Sequence, residues 1–460
     1  MAELTPLVVL NVVGLTPALL AHAPRLARMA ARPMRGVFPA LTMTAQATML
    51  TGALPREHGV VANGWYWRGL GEVRNWVQSN ALLGREPFYR TAARLAAQRG
   101  LPFTCAKMFW WFNQGSGCSY SVTPKPHYGS DGSKEFDILS EPPELAPELQ
   151  QALGRFPFFS FWGPRAGLPS SRWIAQATAH VLRTRRPTLT LCYLPHLDYD
   201  LQRKGAGADT ARLVRELDDC AALVLEAAAA QGARVLVVSE YGISPVARPV
   251  YVNRTLREAG LLRVRHGPFG EVLDPLESRA FAVCDHQCAH VYVREAADQP
   301  AVASRLRGLP GVDRVLDRAA QAEFAVDHPN AGELVLLSAR DAWFAYSYWL
   351  DDTRAPDFAR SVDIHRKPGY DPCELLVDPA LAAPGLRAGL TLLRKKLGLR
   401  YRMSLTPLDA SLVKGSHGLP AARPEDGPLL ACSDAARLPA EPAMTDLPAL
   451  ALRLLGLSGS

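Results

Sequence analysis

The sequence predicts an α/β fold: a parallel sheet with helices on both faces and a small inserted α+β cap. Three observations carry this. Short, apolar, β-branched runs recur at residues 7–13, 188–195 and 233–242, and runs of that kind suit strands buried on both faces. A long Ala/Leu/Glu stretch, Thr210–Ala230, lies between the second and third runs; strand, helix and strand with short joints argue a right-handed crossover between parallel strands. After Pro249 the texture shifts to shorter strands.

In chain order, the first run ends at Gly14 and Pro17, and a helical stretch is expected from there to about Ala31. Residues 38–52 read FPALTMTAQATMLTG, with Thr42, Thr44, Thr48 and Thr51 behind Phe38-Pro39 and ahead of Gly52. This reads as a loop that turns into a helix with a hydroxyl cluster at its start. The strand at 188–195 runs into His196, Asp198 and Asp200, and the strand at 233–242 ends on Glu240 and Tyr241. Beyond these, VYVNRTLREAGLL reads as a helix and AFAVC, AHVYV and ELVLLS as strands, with one helix-like stretch at 297–307. Residues 250–350 are therefore expected to form the cap, and residues 1–249 and 351–460 the α/β core. The chain then passes through DIHRKPGYDP and KGSHGLP. The Pro/Ala-rich residues 419–443 read as surface loop. The closing TDLPALALRLLGL reads as an apolar helix with Thr445 or Asp446 at its N-cap.

The 460 residues suit two domains or one large domain with an insertion. The net charge of +7 comes from scattered Arg without a Lys/Arg block, so it argues weakly for anionic partners and gives no nucleic-acid motif. The start MAELTPLVVLNVVGLTPALL lacks a basic n-region and is interrupted by Asn11, Gly14 and Pro17, so neither a secretory signal nor an integral membrane segment is expected. Eight scattered cysteines without a CxxC pair fit reduced thiols and a cytoplasmic protein. Oligomeric state is left open.

In open α/β sheets, ligands bind at the carboxyl ends of the strands. There the sequence offers Asn11, His196, Asp198, Asp200, Glu240 and Tyr241, joined by the late His417. Oxygen donors with one or two imidazoles suit a divalent metal. A metal beside a threonine at a helix start would lower the hydroxyl pKa and polarise a phosphoryl oxygen, and the helix start itself favours an anionic phosphate. Thr42 is thus a candidate nucleophile; the competing reading is an N-cap, a role Thr fills well.

FPALTMTAQATMLTGALPREHGVVANGWY resembles the nucleophile segment of the alkaline phosphatase superfamily, in its type I phosphodiesterase/nucleotide pyrophosphatase branch. YLPHLDYDLQRKG is similar to the strand end that supplies a metal-binding Asp, VVSEYG to the position of a Ser-Asp-His-Gly, and GSHG to the late metal-binding His. The resemblance covers nearly the whole chain. It implies an alkaline-phosphatase-like sheet and a metal-dependent hydrolase of phosphodiester, pyrophosphate or phosphomonoester bonds acting through a phospho-threonine. It places the nucleophile at Thr42 and metal ligands at Asn11, Asp198, Glu240 and His417, for one or two ions of Zn, Mn or Mg. It puts Asn63, Trp65 and Tyr66 beside a small phosphorylated substrate. The departures are Asn11 for an Asp, Glu240-Tyr241 for Asp-His, and Gln202 for a His. His365, His196, Asp200 and His286 are candidates to replace the lost ligands. LPHLDY, SEYG and DIHRKPGYDP resemble a divergent subgroup of the branch. The alternative function is a family member that no longer hydrolyses and instead binds or transfers an anionic metabolite, lipid-linked ones included.

Overall fold

The computed structural model describes residues 3–130 and 133–457. At its centre lies an eight-stranded sheet. Across it run Ala30–Pro33, Leu429–Cys432, Arg234–Val238, Leu7–Val12, Leu189–Leu194, Cys105–Met108, Tyr120–Tyr128 and Lys134–Glu141. Leu7–Val12 pairs in parallel with both neighbours, setting Asn11 beside Tyr193 on one side and Val238 on the other. Leu429–Cys432 and Lys134–Glu141 run antiparallel to their inner neighbours.

Every residue of Leu7–Val12 is buried, because both faces of the strand are covered. Leu7 and Val9 pack in one cluster with Met43, Leu50, Leu450 and Leu454, whereas Val8, Leu10 and Val12 pack in another with Ile174, Val181, Leu217 and Val224. This alternation is the period-two geometry of a strand. The first face is covered by Thr42–Thr51, Phe88–Gln98 and Leu447–Leu455, the second by Leu168–Arg185 and Thr210–Ala230. Asp209 starts the last of these by accepting the Arg212 N–H at 3.1 Å, as an N-cap should.

Two segments differ from the sequence expectation. The helix expected up to about Ala31 is two short 3-10 turns, Pro17–His22 and Leu26–Arg28, followed by the edge strand Ala30–Pro33. Pro24 explains the break, since it supplies no N–H and biases the preceding residue away from helix. The surface loop expected over residues 419–443 contains Leu429–Cys432, a fully buried strand of the central sheet. Its four apolar residues are hidden in the sequence by the flanking Pro- and Ala-rich stretches.

Residues 250–350 include a separate four-stranded antiparallel sheet in the order Ala280–Asp285, Cys288–Val293, Leu334–Ser338, Val312–Leu316. Phe281, Val291 and Leu336 of this sheet belong to the same apolar cluster as Leu7 and Val9. The tight turn between its first two strands holds His286 at a φ of 57° and points it toward the ends of the central strands. Among the described residues no helix is long and apolar enough to cross a membrane.

Candidate active site

Thr42 is the first residue of the Thr42–Thr51 helix, and the N-cap is Leu41, in extended conformation. Thr42 therefore does not cap the helix. Its Oγ1 lies 2.8 Å from the Tyr241 hydroxyl. Asn63 fixes this helix start: its Oδ1 accepts the Met43 N–H at 3.0 Å, while its own N–H and Nδ2 donate to Asp285 at 2.8 and 3.1 Å. Thr48 and Thr51 spend their hydroxyls on the carbonyls four residues back, Thr44 and Ala47. Of the hydroxyl cluster, Thr42 is the member turned toward the strand ends.

Glu240 is completely buried. Its Oε1 accepts from Asn11 Nδ2 at 2.6 Å and from Gln46 Nε2 at 2.7 Å. Gln46 is itself held, accepting the Trp111 N–H at 2.8 Å. Burial pushes the Glu240 carboxyl up to about 8, against the pull of the Gln46 and Asn11 amides; the Asp198 charge adds to the rise and the Thr42 hydroxyl opposes it. Oε2 of Glu240 and Oδ1 of Asn11 have no hydrogen-bond partner.

Asp198 accepts from Gln202 Nε2 at 2.8 Å, and Tyr241 OH lies 3.5 Å from its other oxygen. Burial pushes its carboxyl up to about 7, with Gln202 and Tyr241 pulling it down. Gln202 Oε1 in turn accepts the Tyr370 hydroxyl at 2.8 Å. Four rings then follow one another: Tyr241 stacks on His417 with centroids 3.6 Å apart, His417 meets His286 at 3.6 Å with the rings tilted by 36°, and His286 stacks on Tyr370 at 3.9 Å. His417 Nδ1 lies 2.8 Å from the Ala40 carbonyl. A carbonyl only accepts, so Nδ1 carries the proton and Nε2 presents a lone pair, 3.9 Å from Asp198 Oδ1. Burial pushes this imidazole down to about 3, which keeps it neutral. Burial first, and then the Asp198 and Glu240 charges, push the Tyr241 phenol well up, so it keeps its proton.

The site thus gathers bare acceptors: Asn11 Oδ1, Glu240 Oε2 and His417 Nε2, with Asp198 Oδ1 beside them. A buried unpaired acceptor costs about 1–3 kcal/mol. An oxygen-rich set of this kind fits a hard divalent cation. It does not form a closed zinc cage, since among the described residues no three His, Cys, Asp or Glu side chains are grouped to hold a metal ion.

The remaining sequence candidates lie elsewhere. His365 is exposed, with Nδ1 3.3 Å from the Asn75 carbonyl. His196 faces Glu216 at 3.1 Å, and Asp200 pairs with Arg203 and Lys204. Trp65 stacks on Trp67, and Tyr66 meets Phe281 and Tyr292 edge-on, so both pack the fold. The aromatics near the network are instead Trp76 against Trp111 at 5.0 Å, Trp76 against Tyr370 at 6.1 Å, and Trp162 against Tyr370 at 5.8 Å. Sequence reasoning missed Gln46, Asp285, Tyr370 and Trp111. Gln46 carried a usable signal, because it stands one helical turn after Thr42 on the same face.

These shifts fix a pH dependence. Glu240 and Asp198 titrate higher in the folded chain than the ordinary values of 4.5 and 3.8, so the folded state holds protons that the unfolded chain has already released. Their contribution is intact below those ordinary values and is lost as pH rises toward about 8 and about 7. In chelator, the Tm of the wild type should fall from pH 5 to pH 8, and Glu240→Gln should fall less. Parallel Tm profiles would contradict the assignment of a buried, proton-holding Glu240.

A family model described as Type I phosphodiesterase / nucleotide pyrophosphatase matches residues 7–371. No curated protein matches the chain. Among solved structures, phosphonoacetate hydrolase from Sinorhizobium meliloti 1021, in complex with phosphonoacetate, is similar with a TM-score of 0.61 at 18% identity, covering 98% of this chain and 96% of that one. Murine ectonucleotide pyrophosphatase / phosphodiesterase 5, an inactive threonine-to-alanine variant in complex with AMP, is similar with a TM-score of 0.59 at 13% identity, covering 100% and 96%. The human counterpart gives 0.58 at 11% identity, covering 99% and 96%. Likeness at this identity is likeness of fold, and it bears out the α/β architecture read from the strand runs. The family match spans most of the chain, and on it this protein belongs to the type I phosphodiesterase / nucleotide pyrophosphatase family, hydrolytic enzymes of the alkaline phosphatase superfamily.

Proposed function

We propose that the protein is a metal-dependent hydrolase of phosphodiester or pyrophosphate bonds, with phosphomonoesters as further substrates, and that it works through a phospho-threonine on Thr42. The observation that carries this is the Thr42 hydroxyl, freed from capping and set 2.8 Å from Tyr241 beside the unpartnered Glu240 oxygen. The inactive threonine variant among the similar structures supports the same reading.

Asn11, Glu240 and Thr42 are the residues proposed to hold a divalent cation, with Asp198 and His417 on the far side of Tyr241. A bound cation would act as a Lewis acid toward the phosphoryl oxygen and lower the Thr42 hydroxyl pKa. The oxygen donors favour Mg or Mn over Zn. His365 is left out of this set because its ring lies against the Asn75 backbone. The Asp198 side is already closed by its Gln202 bond and by Tyr370 on Gln202, so one tight ion per chain is expected.

In the chemical step Thr42 Oγ1 forms the new bond to phosphorus and the bond to the leaving oxygen breaks. Glu240, whose second oxygen is bare, takes the Thr42 proton as the bond to phosphorus forms. Tyr241 keeps its proton and directs its O–H at the Thr42 oxygen as charge moves there. The first turn of the helix supplies N–H groups to the phosphate. Trp76, Trp111 and Trp162 suit a flat or apolar leaving group.

Two tests follow. Thr42→Ala should lower kcat on bis(p-nitrophenyl) phosphate by at least about 10³-fold with an unchanged melting profile, and Thr42→Ser should retain partial turnover. Near-wild-type turnover by Thr42→Ala would point to direct attack by water. In the second test, adding manganese to the chelated protein at pH 8 should raise the wild-type Tm by several degrees and leave Glu240→Gln nearly unmoved. An equal rise in both would remove Glu240 from the metal site.

A further inference from the structure

The Pro384–Lys396 helix has no buried residue. Its partly buried positions are Pro384, Ala388, Thr391 and Lys395, whose spacing makes them one face, the face turned to the protein. Leu386, Leu390, Leu393 and Leu397 take the same spacing on another face, and each is 51–66% exposed. The apolar stripe therefore points into solvent, the reverse of an ordinary surface helix. Leu399 and Tyr401, just beyond the helix, are exposed as well.

Charge surrounds this stripe. Arg387, Arg394, Lys395, Lys396, Arg400 and Arg402 all fall within residues 379–408, which contain no Asp or Glu. Arg387 and Arg394 flank the stripe on one side and Lys396 on the other. Among these cations, within the described residues, Arg402 alone has an ion-pair partner, Asp357 at 3.7 Å. The segment is an excursion held at its base, where the Asp378 N–H donates to the Leu405 carbonyl at 2.7 Å and the Thr406 N–H to the Arg360 carbonyl at 3.1 Å.

We propose that this helix is an interfacial anchor that lays the enzyme on an anionic lipid surface. An outward leucine stripe rimmed by unneutralised cations matches both layers of such a surface: acyl chains take the leucines and lipid phosphates take the Arg and Lys heads. A second copy of this chain fits poorly, because it would bring the same cations face to face without a counter-charge. The helix lies on the surface and does not span it. The inference is independent of the chemistry proposed for Thr42.

The test is co-sedimentation of the full chain with phosphatidylcholine vesicles, with and without phosphatidylglycerol. Binding should be at least about tenfold tighter on the phosphatidylglycerol vesicles and should weaken sharply at about 0.5 M salt. The double variant Leu390→Asp, Leu393→Asp should lose at least about tenfold of that binding. So should the triple variant Arg394→Ser, Lys395→Ser, Lys396→Ser. Both should turn over a soluble ester at the wild-type rate, and thermal melts should stay close to the wild type, since of the five positions only Lys395 is partly buried. Three results would overturn the proposal: no binding to phosphatidylglycerol vesicles, equal binding by wild type and the leucine variant, or a vesicle-free dimer that the leucine variant dissociates.

Discussion

Two carboxylates, Asp198 and Glu240, are buried beyond the ends of the two strands that flank Leu7–Val12, and among the described residues neither has a Lys or Arg partner. Removing a carboxylate from water without a counter-charge is costly enough that the group holds a proton or binds a cation instead. The surrounding structure answers that constraint. Asn11 and Gln46 spend amide hydrogens on one Glu240 oxygen and leave the other bare. Gln202 donates to one Asp198 oxygen, and the Tyr241 hydroxyl faces the other. Asn11 is delivered by the middle strand of the sheet, Gln46 by the Thr42 helix, and Trp111 holds Gln46 in turn. The fold and the site are thus coupled through hydrogen bonds that each use a different element.

The residues that depart from the family pattern support one another. Tyr241, where the resemblance implies an imidazole, reaches both Thr42 and Asp198 and stacks on His417. Gln202 likewise stands where the resemblance implies an imidazole, and Tyr370 orients its amide. The Tyr370 loop is fastened beneath by the buried Lys367, which pairs with Asp371 and Glu374 at 2.7 Å each. Breaking such a buried pair by removing one partner costs about 3–5 kcal/mol, so this clamp resists movement. A site in which Asn11, Gln202 and Tyr241 each bond to one of the remaining carboxylates is a coherent arrangement. It carries less negative charge than one built from Asp and His, and so neutralises fewer cations.

The fold was legible where burial on two faces left continuous apolar runs, as in Leu7–Val12, Leu189–Leu194 and Arg234–Val238. It was not legible where a buried strand was only four residues long, as Leu429–Cys432 is. Of the candidate site, the residues at strand ends could be read because such positions face ligands: Asn11, Asp198 and Glu240. Tyr370 and His286 could not be placed, since they reach the site from a loop and a tight turn far away in sequence. Trp65 and Tyr66 follow the Thr42 helix in sequence; in the fold Trp65 stacks on Trp67, and Tyr66 meets Phe281 and Tyr292. The Pro384–Lys396 helix was missed because its Leu spacing reads like any core-facing helix, and only exposure shows that the stripe faces outward.

The central claim is that the Thr42 oxygen bonds to phosphorus during turnover. Acid-quenching the enzyme while it turns over bis(p-nitrophenyl) phosphate, followed by peptide mass spectrometry, tests it directly. A phosphoryl adduct is expected on the peptide holding residues 38–52, localised to Thr42 and absent without substrate. Steady turnover with that peptide unmodified, and inversion rather than retention of configuration at a chiral phosphorus, would contradict it.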